Sequence, residues 1–388
     1  MKRERLDESQ RTVSGALSAG LEVRPVRTRR DLARFIRFPF RIYAGDPNWV
    51  APLLVERKAF LDRGKNAFFR HSDAELFLAE RDGEVVGRIA AIENRRHLET
   101  YADGTGFFGF FECVEDPAVA RALVAAAAAW VRGRGLVRLR GPMSFTINDE
   151  CGLLIDGFER PPVLLMSYNP RWYPALLEGC GFAKSQDLFA YRMDVPERVP
   201  ERLAEAAAAV AARGIVVRKL DFSHFDQEVE RVHRIHSQAW AANWGAVPLT
   251  VEEMRALAAE LKPLADRDLV FLAEEAGEPV GVSVTVPDIH QALRLARGRL
   301  LPFGLLRILW AKRRIDAVRV LIMGVLPAHR YRGVDAAMYA RTMVEARRKG
   351  YRWGEMSWVL ESNPVMCRIV ERLGAERYKT YRIYDLEL

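Results

Sequence analysis

The sequence predicts an α/β (α+β) protein built from two tandem copies of one domain, and three observations carry that prediction. The 388 residues are too many for one ordinary core and suit two domains of conventional size. A phrase recurs at a fixed spacing: Leu76-Phe77-Leu78-Ala79-Glu80-Arg81-Asp82-Gly83-Glu84-Val85-Val86-Gly87 returns as Val270-Phe271-Leu272-Ala273-Glu274-Glu275-Ala276-Gly277-Glu278-Pro279-Val280-Gly281, each residue 194 positions on, as 274 against 80. Arg24 and Arg218 keep that offset, as do Asn169-Pro170 and Asn363-Pro364, and Asn48-Trp49 and Asn243-Trp244 depart from it by one. Both halves also alternate short apolar runs with longer stretches of helical periodicity. The expected domains are residues 1–196 and 197–388.

The elements follow one order in both copies. A strand (Leu21 to Val26; Ile215 to Leu220) leads into a helical stretch. The repeated phrase is a strand pair turned by Asp82-Gly83 or Ala276-Gly277. A further strand (Gly106 to Cys113; Arg319 to Val325) precedes a long helix (Ala118 to Arg132; Asp335 to Lys349) capped by Gly135 or Gly350. Another strand reaches the Asn-Pro turn, a short helix closes at Gly181 or Gly374, and a Tyr-rich strand ends the copy. Pro196, Pro200 and the Ala-rich run from Glu201 to Arg213 read as a linker and a helix. Two compensating insertions break the correspondence. Gly87 to Gly135 spans 48 residues and Gly281 to Gly350 spans 69, so the second copy has 21 more there. Gly135 to Asn169 spans 34 and Gly350 to Asn363 spans 13, so the first copy has 21 more there. Insertions between shared elements are commonly surface loops or lids that carry function.

Composition narrows the class. At 49% hydrophobic and 28% charged, the chain reads as soluble and globular. No apolar run approaches the length of about 18 to 20 residues that a membrane span needs, and the start MKRERLDESQRT is too polar for a secretory signal, so a cytoplasmic location is expected. Cys113, Cys151, Cys180 and Cys367 make no CxxC pair and no ligand spacing, and His233 and His236 lack a third partner; no metal site is expected. The formal charge of +8 allows nucleic acid, an acidic membrane surface or a polyanionic co-substrate.

Its distribution favours the last two. In the second copy, Val320-Leu321-Ile322-Met323-Gly324-Val325 runs into Leu326-Pro327-Ala328-His329-Arg330-Tyr331-Arg332-Gly333-Val334-Asp335-Ala336, where the long helix opens. Unpaired backbone N–H groups and the positive end of the helix make such a turn an anion cradle of pyrophosphate size. An ordinary strand-to-helix turn with surface arginines fits the same spacing. The first copy's equivalent, Cys113-Val114-Glu115-Asp116-Pro117-Ala118, is acidic and lacks glycine, which suits phosphates poorly.

With this loop, the order of elements resembles the GNAT superfamily of acyl-CoA-dependent N-acyltransferases, present twice and covering nearly the whole chain. The resemblance implies a mixed, mostly antiparallel sheet flanked by helices in each copy. It also implies that the backbone of Met323, Gly324 and Val325 holds a pantetheine arm, and that the loop of Arg330, Tyr331, Arg332, Gly333, Val334, Asp335 and Ala336 holds the pyrophosphate of an acyl-CoA. Two departures stand out. Asp335 is a carboxylate where the family has Gly or Ala, and Val370 replaces the Tyr general acid expected seven residues after Asn363.

N-acylation by a thioester needs a deprotonated amine, a polarised carbonyl and a fate for the thiolate. Glu361 can draw the amine proton through water, Asn363 can orient the arm, and Tyr378, Tyr381 or Tyr384 can supply an acid; each also fits as a surface charge, a turn cap or half-buried strand residues. In the first copy's insertion, Asn148, Asp149 and Glu150 stand in succession in Gly141-Pro142-Met143-Ser144-Phe145-Thr146-Ile147-Asn148-Asp149-Glu150-Cys151-Gly152, followed by Tyr168 and Asn169. They can bind an amine and hold its base, or form a polar turn that caps neighbouring backbone.

The second copy's insertion (289–317) contains Gln291 to Arg314, with seven basic residues and no acidic one among Leu, Ile, Phe303 and Trp310. Three readings stand: a membrane-interface segment, a lid over an acyl chain to which Phe303 and Trp310 contribute, or an amphipathic helix with its arginines in water. The sparse aromatics there argue against nucleic acid. A degenerate first copy with GPMSFTINDECGLLIDGF beside a second copy with RLLPFGLLRILW is similar to a group of tandem bacterial proteins that includes bacterial ceramide synthases. That implies long-chain acyl transfer to a sphingoid base, and the basic amphipathic insertion suits a cytoplasmic protein that is peripheral on the inner membrane face. A soluble acetyltransferase of small amines and a non-catalytic or aminoacyl-transferring tandem are the alternatives.

Overall fold

The computed structural model describes residues 20–388; the polar start from Met1 to Thr12 lies outside them. Fifteen strands are present among these residues. The first copy holds β1 (Leu21–Pro25), β2 (Asp73–Arg81), β3 (Glu84–Glu93), β4 (Thr105–Cys113), β5 (Arg138–Gly141), β6 (Met143–Ser144), β7 (Glu150–Cys151), β8 (Leu153–Asp156) and β9 (Ala183–Asp194). The second holds β10 (Ile215–Lys219), β11 (Val270–Glu275), β12 (Glu278–Pro287), β13 (Ala317–Val325), β14 (Trp353–Leu360) and β15 (Glu376–Glu387). The helices that matter for the site are α1 (Pro117–Arg132), α2 (Glu201–Ala212), α3 (Phe225–Ala239), α4 (Gly304–Lys312), α5 (Val334–Arg348) and α6 (Pro364–Arg372). No helix among the described residues is long and apolar enough to cross a membrane.

Thirteen strands form one sheet in the order β1-β2-β3-β4-β5-β15-β9-β14-β13-β12-β11-β10, with β8 pairing β15 off this path. Only β4–β5 and β13–β14 pair in parallel; the other neighbours are antiparallel, as the mixed, mostly antiparallel sheet required. Helices cover the faces. α1 buries Val119, Leu123, Ala127 and Val131 against the first half, and α5 buries Val334, Met338 and Ala346 against the second. The Ala-rich run after Pro200 is α2, whose Leu203 and Val210 pack beside α5.

The order of strands shows how the copies on either side of 196/197 are joined. The copies exchange their last strands: β15 lies against β5 of the first copy, with Tyr384 opposite Gly141, and β9 lies against β14 of the second, with Asp194 opposite Trp353. β9 and β15 then pair with each other along their length. Arg140 clamps Asp385 through two hydrogen bonds of 2.7 Å across the exchange. The repeat therefore divides the sequence but not the sheet.

Each parallel pair splays apart. β4 and β5 stay paired only from Thr105 to Phe107, and β13 and β14 only from Ala317 to Val320. In the first copy the inserted β6 fills the gap. A β-carbon on Gly109 would stand 2.0 Å from the Met143 carbonyl oxygen, so only glycine admits this approach. Phe145 follows and is buried, stacked on Phe68 at 4.8 Å and edge-on to Phe110 at 5.2 Å. In the second copy the same gap is open.

Candidate active site

The open gap between β13 and β14 is a cavity of about 490 Å³, within the size range of small-molecule sites. Its walls come from Ile322 to Val325 on one strand, Met356 to Leu360 on the other, and the loop from Trp240 to Leu249 after α3. At one end stand Arg330, Tyr331 and Asp335, and at the other Arg319 and Ser357. Ile147, Asn148 and Asp149 of the first copy close one side, so the site is assembled from both copies.

The mouth is a helix start left uncapped. Gly333, at φ 78°, begins α5 without a side-chain cap, which leaves the first N–H groups of the helix free for an anion. Tyr331, at φ 60°, is 93% exposed. The cations here are already engaged: Arg330 donates to the Ala239 carbonyl at 2.7 Å, and Arg332 and His329 meet Glu275 at 2.7 and 2.8 Å. Val334 is buried in the core and Ala336 packs beside Tyr339. Asp335 lines the cavity. In the first copy the same helix end is occupied, because Asp116 accepts from the Ala118 N–H at 2.8 Å and pairs with Arg81 at 2.7 Å. A carboxylate bound there and a plugged gap leave the first copy with neither the free helix end nor the cavity of the second.

Met323, Gly324 and Val325 line the opposite wall. A β-carbon on Gly324 would stand 2.2 Å from the Trp240 ring, so glycine at this point lets α3 lay an indole against the strand. Trp240 stacks on His236 at 4.7 Å. His236 is buried, its Nδ1 has no hydrogen-bond partner, and burial brings its pKa down to about 4, so the ring is neutral at pH 7.

Asp149 is a second carboxylate that lines the cavity. It accepts from the Thr146 N–H at 3.0 Å and the Thr146 hydroxyl at 2.8 Å, and burial outweighs both, raising its pKa to about 6. Asn148 stands beside it, its N–H held by the Thr146 hydroxyl at 3.1 Å. Asn363 also lines the cavity while capping α6, accepting from the Met366 N–H at 3.1 Å.

The remaining expected residues stand elsewhere, each for a physical reason. Glu150 turns away into an ion pair with Arg57. Glu361 is exposed and pairs with Lys184 at 2.8 Å, which answers its charge outside the cavity. Tyr384 travels with the exchanged β15 into the first copy's core, where its hydroxyl donates to Glu178 at 3.0 Å. Tyr378 donates to Glu355, and the Tyr381 hydroxyl is buried without a partner. Tyr168 donates to Asp46 at 2.9 Å, and Asn169 clasps the backbone of Leu154 from both sides, so both hold the inserted loop in place. Phe303 and Trp310 are 61% and 56% exposed on α4 and the turn before it, away from the cavity. Val370 is fully buried and brings no hydroxyl, whereas Tyr339 of α5 lines the cavity with its hydroxyl 3.8 Å from the Met366 sulfur. Sequence reasoning passed over Trp240, Arg319 and Ser357; Trp244 was visible only as one of the repeated Asn-Trp pairs.

No protein-family model matches the chain. A tandem GNAT protein from the clavulanic acid biosynthesis pathway superposes with a TM-score of 0.55 at 13% identity, over 95% of this chain and 98% of that one, which establishes the fold. Among curated proteins, a bacterial ceramide synthase from Caulobacter vibrioides is 40% identical over 378 residues, covering 96% of this chain and 98% of that protein. Protein YghO of Escherichia coli is 34% identical over 373 residues, covering 94% and 95%. The chain belongs to the family of the Caulobacter protein, N-acyltransferases related to bacterial ceramide synthase, and it has the tandem GNAT fold.

Proposed function

We propose that this N-acyltransferase moves a long-chain acyl group from acyl-CoA to the amine of a sphingoid-base-like lipid. The observation that carries the reading is the composite cavity: an uncapped helix start at one end, apolar walls, and a half-buried carboxylate contributed by the other copy. The free N–H groups of α5 hold the pyrophosphate, and the backbone of Met323 to Val325 aligns the pantetheine arm. Asn363 and Asn148 position the reacting groups. Asp149, with its pKa near 6, accepts the proton lost when the amine nitrogen bonds the thioester carbon and the C–S bond breaks. Tyr339 is the nearest cavity phenol to the start of α6 and serves as proton donor to the departing thiolate.

Trp240, Trp244, Val247, Pro248 and Leu249 give the walls an apolar character that suits alkyl chains. The basic insertion supports a membrane source for them. Seven of the fourteen exposed large hydrophobic side chains among the described residues lie between Leu295 and Trp310, beside the seven cations of 291–314, a stretch that holds no acidic residue. Such a surface fits the anionic cytoplasmic leaflet, with its apolar side chains in the acyl boundary.

Release of free coenzyme A, measured with acyl-CoAs of increasing chain length and a long-chain amino alcohol, tests the reading. Turnover is expected to rise with chain length and to need the lipid amine. Efficient turnover of acetyl-CoA with small polar amines, and none with the lipid, contradicts it.

A further inference from the structure

One end of this cavity is polar in a way the transfer chemistry does not use. Arg319 is 2% exposed yet lines the cavity. Its guanidinium carries five N–H groups. Three are engaged: Nε with the Ser357 hydroxyl at 3.1 Å, Nη1 with the Leu164 carbonyl, and Nη2 with the Ser357 carbonyl at 3.2 Å. Two N–H groups are left over at a buried position. Ser357 also lines the cavity and donates to Glu355, which is fully buried and also receives the Tyr378 hydroxyl. The Tyr381 hydroxyl, electrostatically close to both Arg319 and Glu355, has no hydrogen-bond partner at all.

Buried donors without acceptors are rare enough to call for a ligand or a water. Charge decides what kind of ligand. Glu355 and Asp288 answer the charges of Arg319 and the neighbouring Lys379, so the recess has little net positive charge to offer a carboxylate or phosphate. It offers donors to a neutral oxygen. Position decides which ligand. Arg319 lies at the end of β13 remote from the Arg330 to Asp335 loop, so an acyl-CoA that enters at the loop places its phosphates at the opposite end of the cavity.

We propose that Arg319, oriented by Ser357, forms an acceptor-recognition subsite whose spare N–H groups bind the neutral oxygen, hydroxyl or oxo, carried beside the reacting amine, and so selects oxygenated long-chain amines over plain alkylamines. This rests on the lipid-amine reading above and adds the chemical feature that the acceptor must carry. A site built to hydrogen-bond an oxygen rejects an analogue that lacks it by a large factor, because its buried donors are left unpaired.

The test is kcat/KM for two amines of equal chain length, a 2-amino-1,3-diol and the plain 1-aminoalkane, on the wild-type protein, on Ser357→Ala and on Arg319→Lys. The wild type is expected to prefer the diol by about a hundredfold or more, and the variants to bring that ratio below about tenfold, mainly through the diol. Equal use of both amines by the wild type overturns the proposal, and this comparison needs no variant to fold. Variants that lower both amines by the same factor also overturn it, since that is the mark of a structural role or of contact with the thioester carbonyl. Turnover of short polar amines with neither long-chain amine accepted sinks the lipid reading itself, a different result from equal use of both.

Discussion

Asp149 concentrates the residue-scale chemistry. Its folded pKa, near 6 against about 3.8 in an unfolded chain, means that the ionised form is disfavoured by folding. The sign follows: the charge costs nothing below pH 4 and costs most above pH 6, where it is also the form that can take a proton. Asp149→Asn keeps the two Thr146 hydrogen bonds and removes the charge. It is expected to lower kcat by about a hundredfold or more, to abolish the acid limb near pH 6, and to leave Tm at pH 7 unchanged or higher. A fall in Tm together with a retained limb would assign Asp149 to structure alone. Asn148-Asp149 was legible because consecutive polar residues amid apolar ones are conspicuous. His236 and Arg319 were not, since a histidine on a helix and an arginine in a strand carry no local mark of the cavity they meet.

Among the elements, β6 and the segment after it distinguish the two copies. The same splayed strand pair is filled in the first copy by Met143 to Phe145 and left open in the second. Phe145→Ala removes a buried ring packed among four other phenylalanines and is expected to cost about 3 to 5 kcal/mol, read as a large drop in Tm. It is not expected to create acyl-CoA binding, because Asp116 still occupies the helix end. At the second copy's mouth, Gly333→Glu puts a side chain and a negative charge where the helix start is free, and acyl-CoA affinity is expected to fall at least tenfold by calorimetry. On α4, replacing exposed Leu306 and Leu309 with Asp is expected to abolish flotation with anionic vesicles while leaving Tm within a few degrees. The hairpin, the long helices and the glycine turn that opens α5 were legible because turn glycines and periodicity announce them. The outward aim of Phe303 and Trp310 was not, because lid, buried face and membrane face share one amphipathic pattern.

For the whole molecule, the duplication was written in the sequence by its constant offset of 194, yet that offset is the same whether each copy keeps its last strand or trades it. Trading is a tertiary choice, fixed by the pairing of β15 with β5 and of β9 with β14. Tyr384 shows the consequence, since its strand carries it out of the half in which its number stands. Either half produced alone would leave a long strand edge uncovered and is expected to aggregate or remain unfolded, whereas the two halves produced together should assemble. Soluble, cooperatively melting separate halves would count against the exchange.

The central claim is that one copy binds the acyl donor while the other supplies the base. Parallel calorimetry with a long-chain acyl-CoA and turnover with a long-chain amino alcohol, on the wild type and on Asp149→Asn, tests it most directly. Unchanged acyl-CoA affinity with turnover reduced a hundredfold is the predicted result; full turnover by the variant, or loss of acyl-CoA binding itself, would contradict it.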